Sequence, residues 1–391
     1  MLNLIKKLRD KILCYNLREY NIALMVFAAS LGIIGAYTLF VMPGVSEKLY
    51  LKQLIGVAGG MFLAMFVSVF DYRFLAGLYV PMYLLNLLLL AAVKFTRFGV
   101  TIYGARRWLG FKEIFSFQPS ELSKVIMIIV MAKIYQILEP KLKKIYVILI
   151  VGAVFGLQWL LILIEPDLST SIVFALLFVI MLFASGYNIK AIAALIVVTV
   201  PLLIFTFWYV QQPDPLFITE NQQTRILAYL HPEDYPDTMY QQLNSVSAIG
   251  SGGLLGKQLN NDTGTRGTVY VPVRESDFIF TGICEEFGFL GATLVIILFF
   301  LMALNILKIA YNASDLLGKL IGVGCACVFT SQMFVNIGVV TLLLPNTGIP
   351  LPFVSNGLSS ALSSYIMLGI VQNIAINHDV ALKKESEELI R

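Results

Sequence analysis

Residues 274–280 read Arg-Glu-Ser-Asp-Phe-Ile-Phe and mark the return of the chain from a long polar segment into a hydrophobic helix. The polar segment covers residues 211–277, far more than the ~15 residues beyond which a loop in a compact protein is usually functional or disordered. An acidic residue, Asp277, stands at the mouth of the following helix, close to Arg274. We therefore predict that Asp277 is the chemical centre of the protein.

The remainder of the chain has the composition of a membrane protein. Of its 391 residues, 58% are hydrophobic and only 13% are charged, whereas soluble domains carry about 25% charged residues. The predicted fold class is therefore all-α, a polytopic membrane protein. The net charge of +4 is too small to indicate a nucleic-acid partner, so we interpret the basic residues as topology signals.

Ten hydrophobic stretches have lengths near the ~20 residues that a helix needs to cross a bilayer. We predict a single integral membrane domain over residues 1–391, with a large extracellular loop, residues 211–277, between helices 7 and 8. The first stretch is too long for the core of a signal peptide and is predicted to be retained. The ten predicted spans are residues 21–41, 49–69, 77–94, 119–138, 145–164, 168–185, 191–210, 278–308, 317–343 and 355–376.

The distribution of basic residues predicts the orientation. An even number of spans places both termini on one side of the membrane. The N-terminal residues 1–20, the turn at residues 141–144 and the tail at residues 377–391 carry lysine or arginine and fall on that side. The positive-inside rule makes this side cytoplasmic, so the long polar loop is predicted to lie outside.

Several ionisable residues fall near the predicted outer face. Glu121 and Lys124 are three residues apart and so share one face of span 4. They form either a structural ion pair or a functional pair. The functional alternative is considered because ionisable side chains inside a span are energetically costly and so often have a function. Glu165 and Asp167 flank a proline between spans 5 and 6. Asp167 is either a helix cap or part of an acidic wall, and two carboxylates with substrate phosphates would suit Mg²⁺.

The other outer residues also have two interpretations each. Trp108 is typical of an interfacial anchor, and the preceding Arg106 and Arg107 suit bidentate binding of a phosphate or pyrophosphate. Asp277 is either a helix N-cap or a general base whose pKa is raised by burial, an effect that Arg274 opposes.

Residues 345–353 contain three prolines and a glycine and cannot form a regular helix. Such a stretch at membrane depth must be buried in protein or line a cavity. The residues together predict an outward-facing cavity that suits a lipid-linked anion. They do not name the reaction, and no spacing of cysteine or histidine indicates a metal site.

In the residues described above, the chain resembles the SEDS family (shape, elongation, division and sporulation) of RodA- and FtsW-like proteins. The resemblance covers nearly the whole chain, and its motifs occur in the order of the family. Three positions depart from the family pattern: Ser276 replaces a threonine, Ser169 a glycine and Leu358 a glycine. The matching stretches are residues 104–108, 117–124, 166–168, 248–254, 276–280 with 285–286, and 348–360.

The resemblance implies a ten-helix peptidoglycan glycosyltransferase of the bacterial cytoplasmic membrane that polymerises lipid II for cell-wall elongation or division. It implies a class B penicillin-binding protein, a transpeptidase, as partner, and it makes Asp277 the essential residue. The substrate-binding residues that we predict from the residues and the resemblance together are Arg106, Arg107, Trp108, Glu121, Lys124, Glu165, Asp167, Arg274 and Ser355.

In the mechanism that we expect, Asp277 takes a proton from an acceptor hydroxyl and undecaprenyl pyrophosphate leaves the donor with inversion. A divalent cation, Mg²⁺ or Mn²⁺, could share the stabilisation of the leaving group with the arginines. Two alternatives remain open at this stage. One is a lipid II flippase gated by Glu121 and Lys124, and the other is a non-catalytic activator of the transpeptidase.

Overall fold

The computed structural model describes residues 19–102, 105–111, 115–142, 144–165, 167–187, 197, 201, 204–205, 208–213, 220–260 and 269–377. The cytoplasmic segments predicted at residues 1–20 and 377–391 lie almost wholly outside the described residues, and the span predicted at residues 191–210 is described only at scattered positions.

Each of the other nine predicted spans coincides with a helix whose ends differ from the prediction by a few residues. The helices of the described chain are α1 (Ile22–Val41), α2 (Glu47–Ser68), α3 (Tyr72–Gly77), α4 (Tyr79–Phe95), α5 (Pro119–Leu138), α6 (Ile145–Ile164), α7 (Leu168–Ala184), α8 (Glu220–Leu230), α9 (Pro236–Ser251), α10 (Gly256–Leu259), α11 (Ile279–Tyr311), α12 (Leu316–Val340) and α13 (Leu358–Ile376).

The apolar composition of these helices makes the molecule a membrane protein. Six helices, among them α1, α2, α11, α12 and α13, are long and apolar enough to cross a bilayer, and α4 and α7 are shorter apolar helices. Helices α12 and α13 are the most enclosed, whereas α2 and α11 leave most of their apolar surface uncovered. An apolar surface of this extent requires lipid around it, so α12 and α13 form the centre and α2 and α11 face the bilayer.

A small sheet interrupts the all-α fold between α4 and α5 and was not predicted. Its strands are β1 (Gly99–Ile102), β2 (Ala105–Phe111) and β3 (Phe115–Phe117), in the antiparallel order β1-β2-β3. The strand sequences are rich in β-branched and aromatic residues, which favour a pleated, half-buried surface. The sheet lies at the end of the bundle where α5, α7, α11 and α13 begin, which we call the loop end.

The described residues of the polar segment, which we predicted to be a loop, form three helices, α8, α9 and α10. The turn between α9 and α10 packs against a break in α11 at Gly288, whose backbone has φ 65° and ψ −161°. The break frees two N–H groups, which the turn satisfies: Phe289 N donates to Gly253 O at 2.9 Å and Leu290 N donates to Leu254 O at 3.2 Å. The polar segment is thereby fastened to a membrane helix.

We predict that Gly288→Ala destabilises the protein by at least ~1–3 kcal/mol, the usual cost of a backbone conformation reserved for glycine. A Cβ atom at position 288 would also lie 2.4 Å from the backbone N of Gly256. The matched control is Gly250→Ala within α9, where a Cβ atom meets nothing within 4 Å. Thermal unfolding in detergent should show a lowered midpoint for Gly288→Ala alone, and equal midpoints would contradict the prediction.

Candidate active site

A polar cavity of about 180 Å³ opens at the loop end of the bundle. Because pockets for drug-sized ligands usually measure ~300–1,000 Å³, the cavity suits a charged group or one ring of a larger substrate. Its walls come from β2, α8, the residues before α11, the segment 341–357 and the start of α13. The lining residues are Arg107, Trp108, Gln118, Arg225, Val273, Ser276, Asp277, Thr347, Gly348, Pro350, Asn356, Gly357, Ser359 and Ser360.

Asp277 is the single carboxylate among the described residues that line the cavity. The N-cap of α11 is Phe278, and no side chain makes a capping hydrogen bond there, so Asp277 is not the cap that one interpretation of the sequence offered. Gly348, with φ +72°, forms the facing wall, and a Cβ atom at that position would lie 3.1 Å from a carboxylate oxygen of Asp277. The glycine therefore lets backbone approach the carboxylate closely.

The backbone that carries Asp277 is held by three successive carbonyl groups, each of which accepts a hydrogen bond from another part of the chain. Two of the donors belong to the non-helical segment 341–357 and the third to α12. The three bonds are Asn356 N to Glu275 O (3.2 Å), Ser355 Oγ to Ser276 O (2.7 Å) and Asn336 Nδ2 to Asp277 O (2.7 Å). Ser355, which we predicted to bind substrate, therefore donates its hydroxyl proton to the backbone of Ser276.

Burial raises the pKa of Asp277 above its ordinary value of 3.8. The Ser276 hydroxyl, which hydrogen-bonds to the carboxylate, and the positive charges of Arg225 and Arg107 oppose this rise. A carboxylate with a raised pKa is a stronger base than an ordinary aspartate, which suits a general base near neutral pH.

Arg107 and Trp108 both line the cavity, although successive strand residues normally point to opposite faces. The register of β1 and β2 explains this. Val100 pairs with Trp108 and Thr101 pairs with Arg106, so Arg107 has no partner across the ladder. Such a bulge re-aims a side chain, and here it brings the guanidinium and the indole to the same side.

Asp167 is buried and organises one wall of the cavity. It caps α7, as one interpretation of the sequence predicted, by accepting a hydrogen bond from Thr170 N at 3.1 Å. The same carboxylate accepts hydrogen bonds from Gln118 Nε2 at 3.0 Å and from Ser120 Oγ at 3.2 Å, and it lies 3.7 Å from Arg107 Nη1. Asp167 therefore orients two cavity residues, Arg107 and Gln118, rather than lining the cavity itself.

Glu165 lies beside Asp167 in a very different environment. Its side chain is 1% exposed, and neither carboxyl oxygen has a hydrogen-bond partner among the described residues. Burial, and secondly the negative charge of Asp167, raise the pKa of Glu165 to about 9, against the opposing charges of Arg107 and Lys94. Glu165 is therefore neutral at pH 7.

Arg225 on α8 is a cavity residue that the sequence did not identify as part of the site. Its Nη1 donates to Asn346 O at 3.5 Å. Burial, and secondly the charge of Arg107, lower the pKa of Arg225, as expected for two guanidinium groups that share a small space. The signal in the sequence was an arginine on the outer side, where the positive-inside rule does not expect one.

Seven of the nine predicted substrate-binding residues lie outside the cavity lining, and their role as substrate contacts stays a prediction. Glu165, Asp167 and Ser355 are described above, and the other four are Arg106, Glu121, Lys124 and Arg274. Arg106 donates to the carbonyl of Thr96. Lys124 donates to Glu121 at 2.8 Å, and Ser363 donates to the same carboxylate at 3.1 Å. This is the structural ion pair that the sequence offered as one alternative.

Arg274 also lies outside the cavity lining. It is paired with the buried Glu285, which also accepts a hydrogen bond of 2.7 Å from Lys257. In this arrangement Arg274 joins the residues before α11 to α11 and α10 instead of facing the cavity. We expected the positive charge of Arg274 to oppose the rise in the pKa of Asp277. In the structure, Arg225 and Arg107 have this effect.

The electrostatics of the cavity favour an anionic ligand. Arg107 and Arg225 face it, and α5, α7, α11 and α13 all begin at the loop end. The N-terminus of a helix carries about half a positive charge, so these helices and the two arginines act in the same sense. Leu358 turns away from this polar interior: its side chain is 49% exposed and lines an apolar groove between α2 and α13.

The described residues contain no group of three or more metal-binding side chains close enough to hold an ion. The oxygens of Asp167 already accept hydrogen bonds from several donors. A divalent cation in the cavity would therefore be held mainly by phosphate oxygens of the substrate and by water, ligands that Mg²⁺ commonly keeps.

These features define a class: a polytopic helical membrane protein with a polar cavity that is lined by one carboxylate and two arginines. The chain belongs to the cell cycle protein family of FtsW, RodA and SpoVE, whose family model matches residues 18–379.

Individual relatives have related descriptions. The chain is 34% identical over 312 residues to a probable peptidoglycan glycosyltransferase FtsW of Geobacter sulfurreducens, which covers 78% of this chain and 79% of the relative. It is 32% identical over 321 residues to peptidoglycan glycosyltransferase MrdB of Escherichia coli K12. That alignment covers 81% of this chain and 83% of the relative.

Solved structures share the fold. A chain from the work "Structural coordination of polymerization and crosslinking by a peptidoglycan synthase complex" aligns with a TM-score of 0.77 at 26% identity, covering 92% of this chain and 98% of that chain. The rod shape determining protein RodA of Thermus thermophilus aligns with a TM-score of 0.68 at 24% identity, covering 92% and 97%.

We predict that Glu165 makes the protein less stable as pH rises. The folded state keeps a proton up to pH about 9, whereas the unfolded state releases it near 4.5. The stabilising contribution is therefore complete below 4.5 and is lost between these two values. Glu165→Gln should flatten the fall of the thermal midpoint across this window, whereas Glu139→Gln at an exposed site should not. Parallel curves for Glu165→Gln and wild type would refute the assignment.

Proposed function

We propose how this peptidoglycan glycosyltransferase works: it polymerises lipid II at the outer face of the membrane, with Asp277 as the general base. The observation that carries the proposal is the cavity, in which one carboxylate with a raised pKa faces two arginines. A base and an anion-binding pair are the two groups that transfer of a sugar from a pyrophosphate requires.

In the reaction, Asp277 takes the proton from the 4-hydroxyl of the acceptor GlcNAc. The oxygen attacks C1 of the donor MurNAc with inversion, and the bond from C1 to the pyrophosphate oxygen breaks. Undecaprenyl pyrophosphate leaves with the electron pair. Arg107 and Arg225 stabilise the negative charge that grows on the pyrophosphate, and a bound Mg²⁺ or Mn²⁺ would supply further charge stabilisation to the same group.

The positions of the helix ends support the outer location that we propose. Asn21, just before α1, exchanges two hydrogen bonds with Gln372 near the end of α13: Asn21 N donates to Gln372 Oε1 at 3.0 Å, and Gln372 Nε2 donates to Asn21 O at 2.7 Å. This supports placing both termini at one end of the bundle, opposite the loop end. The basic residues near both termini favour the cytoplasm for that end.

The partner that we propose is a class B penicillin-binding protein. The support is the similarity to a chain from a peptidoglycan synthase complex in which polymerisation and crosslinking are coordinated. A flippase gated by Glu121 and Lys124 is less well supported, because these two residues are buried, paired with each other and absent from the cavity lining.

We predict that Asp277→Asn lowers kcat for lipid II polymerisation by ~10²–10⁴-fold, the usual contribution of a general base. The substitution keeps the shape of the side chain and removes the proton acceptor. Asp237→Asn, at an exposed acidic position of the same polar segment, should retain the wild-type rate. Glycan formation by the purified full-length chain in proteoliposomes, with the partner present, measures both. A wild-type rate for Asp277→Asn would overturn the proposal.

We also expect kcat/KM to fall as pH falls through the pKa of Asp277, because the base must be deprotonated to accept a proton. Burial raises the pKa of this carboxyl, so the midpoint of the acidic limb should lie above the ordinary value of 3.8. A profile with no acidic limb, or with a midpoint at or below that value, would show that another group acts as the base.

A further inference from the structure

We propose that Asn336 of α12 is a positioning residue for the glycosyl transfer: its side-chain amide sets the place of Asp277 against the backbone wall at Gly348. The inference rests on the proposed role of Asp277 as the base. Asn336 is not among the site residues predicted from the sequence, and its side chain does not line the cavity.

The amide nitrogen of Asn336 makes two hydrogen bonds of the same length. It donates to Asp277 O at 2.7 Å and to Ile349 O at 2.7 Å. An amide NH₂ group has two protons to donate, so both are used. The side chain is 1% exposed, and in such a setting an unpaired carbonyl group would be costly. The two bonds therefore fix the orientation of the amide and the places of both carbonyls.

The two carbonyl groups belong to the two sides of the reacting position. One is the backbone of Asp277 itself. The other follows Gly348, the residue whose backbone lies against the carboxylate of Asp277. A single planar amide thus sets how far the carboxylate stands from the opposite wall, where the acceptor hydroxyl must fit.

The attachment point of this clamp is rigid. Helix α12 is one of the two most enclosed helices of the bundle. Among the described residues, the bond from Asn336 is the one hydrogen bond that joins residues 273–278 to α12. The contacts from Ser355 and Asn356 hold the same loop from segment 341–357. That segment is in turn held by α2, where Gln53 Nε2 donates to the carbonyls of residues 353–355, and by Asn336 itself.

Loss of the clamp should affect the rate more than the binding of substrate. The two arginines proposed to bind the pyrophosphate stand on β2 and α8, and the hydrogen bonds of Asn336 go to neither of them. Displacement of a catalytic group by about 1 Å can cost ~10²-fold in rate. We therefore expect a fall in kcat with little change in KM, the signature of an interaction that matters in the transition state.

The test is Asn336→Asp in the full-length protein, assayed for lipid II polymerisation in proteoliposomes with the partner present. This substitution keeps the size of the side chain but places an oxygen, in place of the NH₂ donor, opposite two carbonyl oxygens. We expect kcat to fall ~10- to 100-fold and KM to stay within about 3-fold. An unchanged kcat would overturn the inference.

The matched control is Asn373→Asp on α13. Asn373 is also fully buried, and its amide donates to a backbone carbonyl, Ser68 O, at 2.7 Å, at the end of the bundle opposite the cavity. It should lower the thermal midpoint as Asn336→Asp does while retaining kcat. An equal loss of kcat in both variants at equal midpoints would show that the effect of Asn336 is one of stability only, and would also overturn the inference.

A second variant covers the case in which Asn336→Asp does not fold. Asn336→Ser keeps one donor of two and a smaller side chain, so a smaller fall in kcat is expected, and a wild-type kcat would again overturn the inference. Its failure differs from that of the proposed function. If Asp277→Asn is inactive while the Asn336 variants are fully active, only the positioning role is lost. If Asp277→Asn is fully active, the base assignment itself is wrong.

Discussion

The cavity exists because backbone that leaves the helical conformation inside a membrane protein must find its hydrogen bonds within the protein. The residues before α11 and the segment 341–357 are both non-helical, and hydrogen bonds between them pair some of their polar groups. Ser355 and Asn356 donate to carbonyls of Ser276 and Glu275. Irregular backbone is thereby stable at the loop end, and the polar wall that it forms holds Asp277.

The same requirement shapes the connection between the polar segment and the membrane helices. The break of α11 at Gly288 would leave amide groups unpaired in an apolar setting, and the turn between α9 and α10 supplies the acceptors. Close approach of the two backbones is possible because Gly256 and Gly288 lack side chains. The ion pair of Glu285 with Arg274 and Lys257 lies beside this contact, so the residues before α11, which carry Asp277, and the break in α11 are fixed together.

The sequence predicted the spans well because a hydrophobic run of bilayer length is a local property. It also identified Asp277, Arg107 and Trp108, which stand where polar sequence meets apolar sequence. The strands were not predicted because they are short. The helices of residues 220–259 were not predicted because their polar composition is typical of a loop. Asn336 was not predicted because an amide within an apolar helix gives no local signal, and its partner Asp277 lies 59 positions away. Contacts of that separation are set by packing rather than by composition.

Leu358 illustrates how two surfaces meet on one turn of α13. Its neighbours Gly357 and Ser359 line the polar cavity, while its own isobutyl group lies in the apolar groove on the other side of the helix. The side chain of Leu358 therefore does not occupy the cavity. Because one turn of α13 contributes to both surfaces, a change of side chain at position 358 acts on the apolar groove, whereas a change at position 357 or 359 acts on the polar cavity.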